Sequence, residues 1–287
     1  MPDDGKYGRI KELFHQIKTV RLTGKIKMKN NSSISNKILI VYISLFFFCA
    51  QNLFAQNTGK TVNQAEQAWV GLFTQTRLSK RWGIWLDLHQ RFTDHFVGRP
   101  LQAFARVGGT YYITDDIRLV AGYAFVWFYK GPGEAAGHLE HRPWQQISIR
   151  QSYNRFSTMQ WLRLEQRFVQ KLSDGVPTND FKFNWRIRYS YGISIPLNHK
   201  KLLPKTWFIA LQNELFINFG SQITYNYFDQ NRLFGGIGYQ FNKAWNAQLG
   251  YMNVFQQTAT GNVFQNANCI RLYVYYNLDL RKDKEDK

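Results

Sequence analysis

Cysteine and proline are scarce in this chain of 287 residues, which has two of the first and seven of the second. That scarcity excludes a disulfide-framed miniprotein and a collagen-like repeat. Acidic residues are also few, 19 Asp+Glu against 37 Lys+Arg, for a formal charge of +18. Long apolar runs are few: the one that stands out, Ile38 to Ala50, has thirteen residues where a spanning helix needs about 20, which disfavours a retained membrane anchor as the reading of that run. What is abundant is aromatic surface, 17% of the chain within a hydrophobic content of 44%. A disordered chain is thereby excluded as well.

The run Ile38 to Ala50 follows Lys29 and Lys37 and is succeeded by Gln51-Asn52-Leu53-Phe54-Ala55. A basic start, an apolar centre and a small residue before Gln56 predict a secretory signal peptide over 28–55, cut after Ala55. Met28 reads as the natural initiator, with 1–27 a mis-assigned N-terminal extension that adds only charge. Phe47-Phe48 before Cys49 lacks the small residues of a lipidation site. Removal of this segment leaves Cys269 alone, so the exported part has no internal disulfide, and it keeps 28 Lys+Arg and 16 Asp+Glu.

From about residue 65 to residue 280 apolar and polar residues alternate with period two, the signature of strands with two unlike faces. Phe181, Phe183, Trp185, Ile187, Tyr189, Tyr191 and Ile193 share one face, and Lys182, Asn184, Arg186, Arg188 and Ser190 the other. Trp82, Ile84, Leu86 and Leu88 likewise oppose Asp87, His89 and Arg91. Eleven segments qualify: 66–78, 82–93, 101–114, 117–129, 144–155, 159–171, 180–195, 206–219, 229–241, 245–256 and 268–280. Most exceed the roughly five to six residues of a soluble strand and match the about nine to eleven of a tilted transmembrane one.

Tight connections such as Ser79-Lys80-Arg81 and Asn242-Lys243-Ala244 alternate with long ones, Asp94 to Pro100, Lys130 to Pro143, Ser173 to Asn179, Gly220 to Phe228 and Gln257 to Ala267. Asn198 to Lys205 is a longer member of the tight side. Trp82, Trp127, Trp144, Trp161, Trp207 and Trp245 fall near segment ends, where a bilayer interface would hold them. The expected fold is all-β, an antiparallel up-and-down transmembrane β-barrel over 56–280 of about 12 strands (10 to 12), set in the outer membrane of a Gram-negative cell, with 281–287 a charged periplasmic tail. Since bacterial barrels have even strand numbers, either a twelfth, short strand is expected within 58–64 or one of the eleven segments stands outside the barrel, and twelve strands is the preferred count.

Polar positions opposite the aromatic face would line the lumen. Arg163, Glu165 and Arg167 form the densest set, joined by Arg91, Arg106, Arg150, Arg186, Arg188, Glu214, Arg232 and Arg271. Acids pairing with neighbouring arginines would fill a small lumen, and the excess of base would suit small anionic solutes in a narrow, porin-like pore. Nucleic-acid binding explains the basic residues less simply, because they sit at period-two positions. No catalytic residue, metal ligand or cofactor is assigned. His138-Leu139-Glu140-His141 is the one local cluster that could serve a lipid-modifying enzyme, and a soluble periplasmic ligand-binding barrel is the other alternative.

Trp69, Leu78 to Trp82, Gln90-Arg91-Phe92, His141 to Gln146, Arg163 to Phe168, Asn231-Arg232-Leu233 and Gly250-Tyr251 resemble the Domain of Unknown Function 2490 family, secreted barrel-like proteins frequent in Bacteroidota. The resemblance implies a location and an architecture but no activity. It also implies that Arg91, Arg142, Arg163, Glu165, Arg167, Asn231 and Arg232 belong to one polar set inside the barrel.

Overall fold

The computed structural model describes residues 59–281. The extension 1–27, the signal peptide 28–55 with its cleavage site, and residues 282–287 of the tail lie outside the described residues. Eleven strands follow one another: β1 Thr61–Arg77, β2 Trp82–Thr93, β3 Arg99–Tyr112, β4 Ile117–Phe128, β5 His138–Ser152, β6 Ser157–Ser173, β7 Val176–Pro196, β8 Thr206–Phe219, β9 Phe228–Gln240, β10 Trp245–Gln257 and β11 Val263–Asp279. Each pairs with its neighbours in sequence, and β1 pairs with β11 to close a barrel. No helix occurs among the described residues. Strands spaced about 4.8 Å and tilted about 40° put this backbone cylinder at roughly 22 Å across.

Eleven lies within the expected range, but among the described residues there is no separate twelfth strand, because residues 61–64 are the beginning of β1 itself. An odd count changes the closure. Every hairpin reverses the chain, so β11 runs in the same direction as β1 and the last pair is parallel, from Thr61 opposite Val263 to Arg77 opposite Asp279. The remaining pairs are antiparallel. Thr61 N donates to Asn262 O (3.0 Å) and Leu280 N to Arg77 O (2.8 Å), tying the seam at both ends. A closed ladder leaves no strand edge unpaired.

Connections at one end are short (78–81, 113–116, 153–156, 241–244) apart from 197–205. At the other end the expected long loop Ser173 to Asn179 is instead a two-residue turn. Asp174 and Gly175 both have positive φ, 50° and 77°, as an Asp-Gly hairpin of the primed type requires. Strands β6 and β7 therefore run on past the expected limits, and the latter reaches 21 residues. Strand β5 also starts six residues earlier than the segment 144–155, which moves Trp144 from a strand end into mid-strand, where it is fully buried inside the barrel. Trp161 likewise lines the interior. Trp82, Trp127, Trp207 and Trp245 remain outward and exposed near strand ends.

Alternation sorts the side chains by polarity in reverse of an ordinary globule. Ile84, Leu86, Leu88, Val107, Leu119, Phe125, Leu162, Ile187, Leu211, Leu215, Leu233, Ile237, Leu249, Ile270 and Leu272 are exposed on the outer face, while Asp87, Arg106, Glu140, Arg163, Glu165, Arg186 and Arg188 are buried inside. Around the short-turn rim the outer face carries aromatic pairs: Trp82 with Tyr111 (5.1 Å between centroids), Trp207 with Tyr239 (4.7 Å) and Trp245 with Tyr276 (4.3 Å). Two cross-strand glycine pairs, Gly108–Gly122 and Gly236–Gly250, make room for inward rings. A Cβ on Gly250 would lie 2.3 Å from Gly235 O and 2.9 Å from the Phe234 ring, whereas one on Gly109 would meet nothing within 4 Å. Gly250→Ala is expected to destabilise the barrel by about 1–3 kcal/mol and Gly109→Ala to leave it unchanged or raise it by up to about 1 kcal/mol. Denaturant midpoints of the two variants check this.

Candidate functional site

Inward positions on adjacent strands face one another across the register, and this builds a charged layer from β5 to β9. Glu165 on β6 is at its centre. It is fully buried and accepts hydrogen bonds from Arg186 (2.6 and 2.8 Å) and Arg188 (2.6 Å) of β7. Arg163 (3.8 Å) and Arg142 (4.0 Å) stand just behind. Glu140 on β5 accepts from Arg142 (2.8 Å) and bidentately from Arg167 (2.7 and 3.0 Å). Asp229 takes the other side of Arg186 (2.8 Å), and Glu214 accepts from Arg188 Nε (2.9 Å) with Arg232 at 3.7 Å. On β2, Asp87 binds Arg106 (2.8 and 3.1 Å), the Trp85 indole N–H (2.7 Å) and His89 (3.3 Å). Bidentate guanidinium–carboxylate pairing is the arrangement that makes buried charge tolerable.

A second set of arginines is held differently. Arg91 donates to Gln102 (2.8 Å), Arg163 to Gln146 (2.8 Å), Arg232 to Gln230 (2.7 Å) and Arg271 to Gln212 (2.9 Å); Arg118 bonds Gln75. An amide oxygen orients a guanidinium without cancelling its charge. Ring faces do the rest of the holding: Arg91 lies 3.7 Å from the Trp69 centroid, Arg163 4.4 Å from Trp144 and Arg271 3.3 Å from Phe234. Opposite the charged layer, Trp69, Phe208, Phe234, Met252, Val254, Ala267, Cys269 and Tyr273 pack into an apolar wall within the barrel.

Between these walls is a cavity of about 1330 Å³. Its lining runs from Asp115, Lys200 and Asn242 at the short-turn rim to Asn226, Gln257 and Thr258 at the opposite rim. Fifteen Lys or Arg side chains line it against five Asp or Glu. Asp87, Glu140 and Glu165 brace the arginines from beneath, so positive charge remains in excess.

Arg91, Arg142, Arg163, Arg167, Arg186, Arg188, Glu214 and Arg232 all line this cavity, and Glu165 is buried among them. Arg106 and Arg271 join them, with Arg150 and Arg118 near the short-turn rim. Two acids escaped notice in the sequence. Asp87 follows the alternation and differs in no way from its polar neighbours on that face, whereas Asp229 sits where the β8–β9 register slips between Phe216 and Ile217, so that both Asp229 and Gln230 turn inward and period two fails. The glutamine partners were legible in principle as inward-parity residues on neighbouring strands.

The cluster His138 to His141 is divided by the strand it belongs to. It lies in β5 rather than in a loop: Glu140 points inward to Arg142 and Arg167, while His141 points outward, bonded through Nδ1 to the Tyr123 hydroxyl and packed against Phe125. Glu140 and His141 consequently cannot act on one substrate atom.

A family model described as Protein of unknown function (DUF2490) matches residues 66–265. No curated protein and no solved structure matches the chain.

Glu165→Gln removes the negative charge between Arg186 and Arg188. It is expected to cost about 3–5 kcal/mol, as uncompensated buried charge does, while Glu66→Gln at the exposed start of β1 changes stability by less than about 0.5 kcal/mol. Paired thermal or urea unfolding measurements distinguish the two.

Proposed function

The chain belongs to the family described as Protein of unknown function (DUF2490), and since that description names no activity we propose from its geometry that it is an outer-membrane β-barrel whose cationic lumen binds or passes small anions. The observation that carries this reading is the reversed polarity of the barrel, with large apolar side chains exposed around the outside and ionic ones buried within. In water such an outer face would be a heavy aggregation liability; in hydrocarbon it is the favourable arrangement. Strands of 12 to 21 residues exceed the about nine to eleven that a tilted span needs. Closure satisfies every strand edge, a condition any spanning sheet must meet, and the aromatic ring at the short-turn rim suits an interface. Short turns would then face the periplasm, reached by export through 28–55. The anion preference rests on the fifteen basic and five acidic residues around the cavity.

Cells expressing the full chain are expected to yield it in the outer-membrane fraction, with faster gel migration before boiling than after. Recovery in the soluble periplasmic fraction would overturn the membrane reading in favour of a soluble binding barrel. In planar bilayers a salt gradient is expected to give a reversal potential of anion-selective sign, reduced by Arg163→Ala; a cation-selective sign would refute the lumen's proposed preference.

A further inference from the structure

Within the lumen one group of arginines stands apart from the Glu165 network. Arg91 on β2 and Arg271 on β11 are both in register with Trp69 on β1, one from each side of it. Arg232 on β9 reaches the same indole, 4.7 Å from its centroid, and Arg91 lies 3.7 Å from it. Arg271 lies 3.3 Å from the centroid of Phe234, which belongs to the same apolar wall as Trp69, so the three guanidinium groups rest on one region of that wall. Among the described residues only Glu214 approaches any of the three, 3.7 Å from Arg232, and it is shared with Arg188.

Arg91 and Arg271 are instead fixed by Gln102, Gln212 and, at 3.5 Å, Gln248. The Nε atoms of both are buried without a hydrogen-bond partner, and Arg271 is only 4% exposed. A buried donor left unpaired is costly. The donor is supplied with a fixed position, a ring face to lie on and no acceptor. Stacking occupies the face of a guanidinium and leaves its terminal Nη–H groups for a planar or tetrahedral oxyanion in the cavity. All three line the cavity.

We propose that Arg91, Arg232 and Arg271, arranged about Trp69, form an oxyanion site that takes free phosphate from the cavity. Three cations beside one shared carboxylate leave about two positive charges, which the charge of about −1.5 to −2 on a phosphate at neutral pH would balance. Lys200, Lys201 and Lys243 line the cavity at the short-turn rim and would draw an anion in from that side. The site deepens the reading of the lumen as anion-binding and rests on it, while being independent of whether the barrel lies in a membrane.

The test is calorimetric titration of the full chain with sodium phosphate at ionic strength held constant with chloride. Gln102→Glu and Gln248→Glu keep every arginine but place a carboxylate where Arg91 and Arg271 now have amides. Each is expected to weaken phosphate binding at least about tenfold, the equivalent of one charge-assisted hydrogen bond. Arg91→Gln should do the same, and Arg81→Gln at the exposed rim should leave binding unchanged, with circular dichroism verifying the fold of each variant. Equal phosphate affinity in the wild type and in both Glu variants would overturn the site. So would heat release only with phosphatidic acid micelles and none with inorganic phosphate, since a lipid headgroup would then be the ligand. Because the titration reads the lumen in either compartment, its failure leaves the membrane assignment standing, and failure of that assignment leaves the titration valid.

Discussion

Everything in this barrel depends on making a charged interior tolerable. A carboxylate taken out of water costs several kcal/mol unless its charge and its lone pairs are matched, and Glu165, fully buried, meets that demand with Arg186 and Arg188 from the adjacent strand. The matching extends outward: Arg186 is steadied by Asp229 and Arg188 by Glu214, while Arg142 joins Glu140 to the Glu165 group. Because side chains alternate between faces, an interior that accepts ions frees every other position for apolar residues outside. Polar core and apolar coat are thus one decision, made by a single period.

That period is also why so much was legible. All eleven segments anticipated from alternation correspond to strands, and the parity of Arg163, Glu165, Arg167, Arg186 and Arg188 put them on the face that lines the cavity. What alternation does not carry is where a strand begins, how many strands close the sheet, or where the period slips. Strand β5 begins at His138 because Leu139 and His141 continue the ladder with β4, Trp127 opposite Leu139 and Phe125 opposite His141. A Gly-rich stretch before it gave no such boundary. Asp229 was hidden by a register slip, and the Asp174-Gly175 turn by the polar residues around it, although the dipeptide is a strong hairpin signal. The odd closure follows from chain reversal, but only once the number of strands is known.

The parallel seam has a bearing on the interior as well as on topology. One neighbour of Trp69, Arg91, is set by the β1–β2 hairpin; its other partner, Arg271, comes from the far end of the chain, aligned by seventeen consecutive residue pairs between β1 and β11. A slip of one residue would turn each inward residue of β11 to the outer face, putting Arg271 outside and Ile270 or Leu272 within. Burial of the charge and apolarity of the coat therefore both hold the seam in register, and the side-chain bond from Asn266 to Gln64 (3.1 Å) adds to it.

Two ways of stabilising an inward arginine divide the lumen. Across β5 to β9 the four carboxylates Glu140, Glu165, Glu214 and Asp229 pair with Arg142, Arg167, Arg186 and Arg188, giving a network with little residual charge. On β11 and β1 the inward apolar positions include Tyr273, Cys269, Ala267 and Trp69, and there the arginines rest on rings and amides that orient them but leave their charge in place. Cation–ring contacts of this kind strengthen as water is withdrawn, so the apolar wall supports cations where it would reject carboxylates. A mobile anion entering such a cavity finds the first wall already satisfied and the second still positive, and the difference between glutamate and glutamine beside an arginine decides which wall it meets.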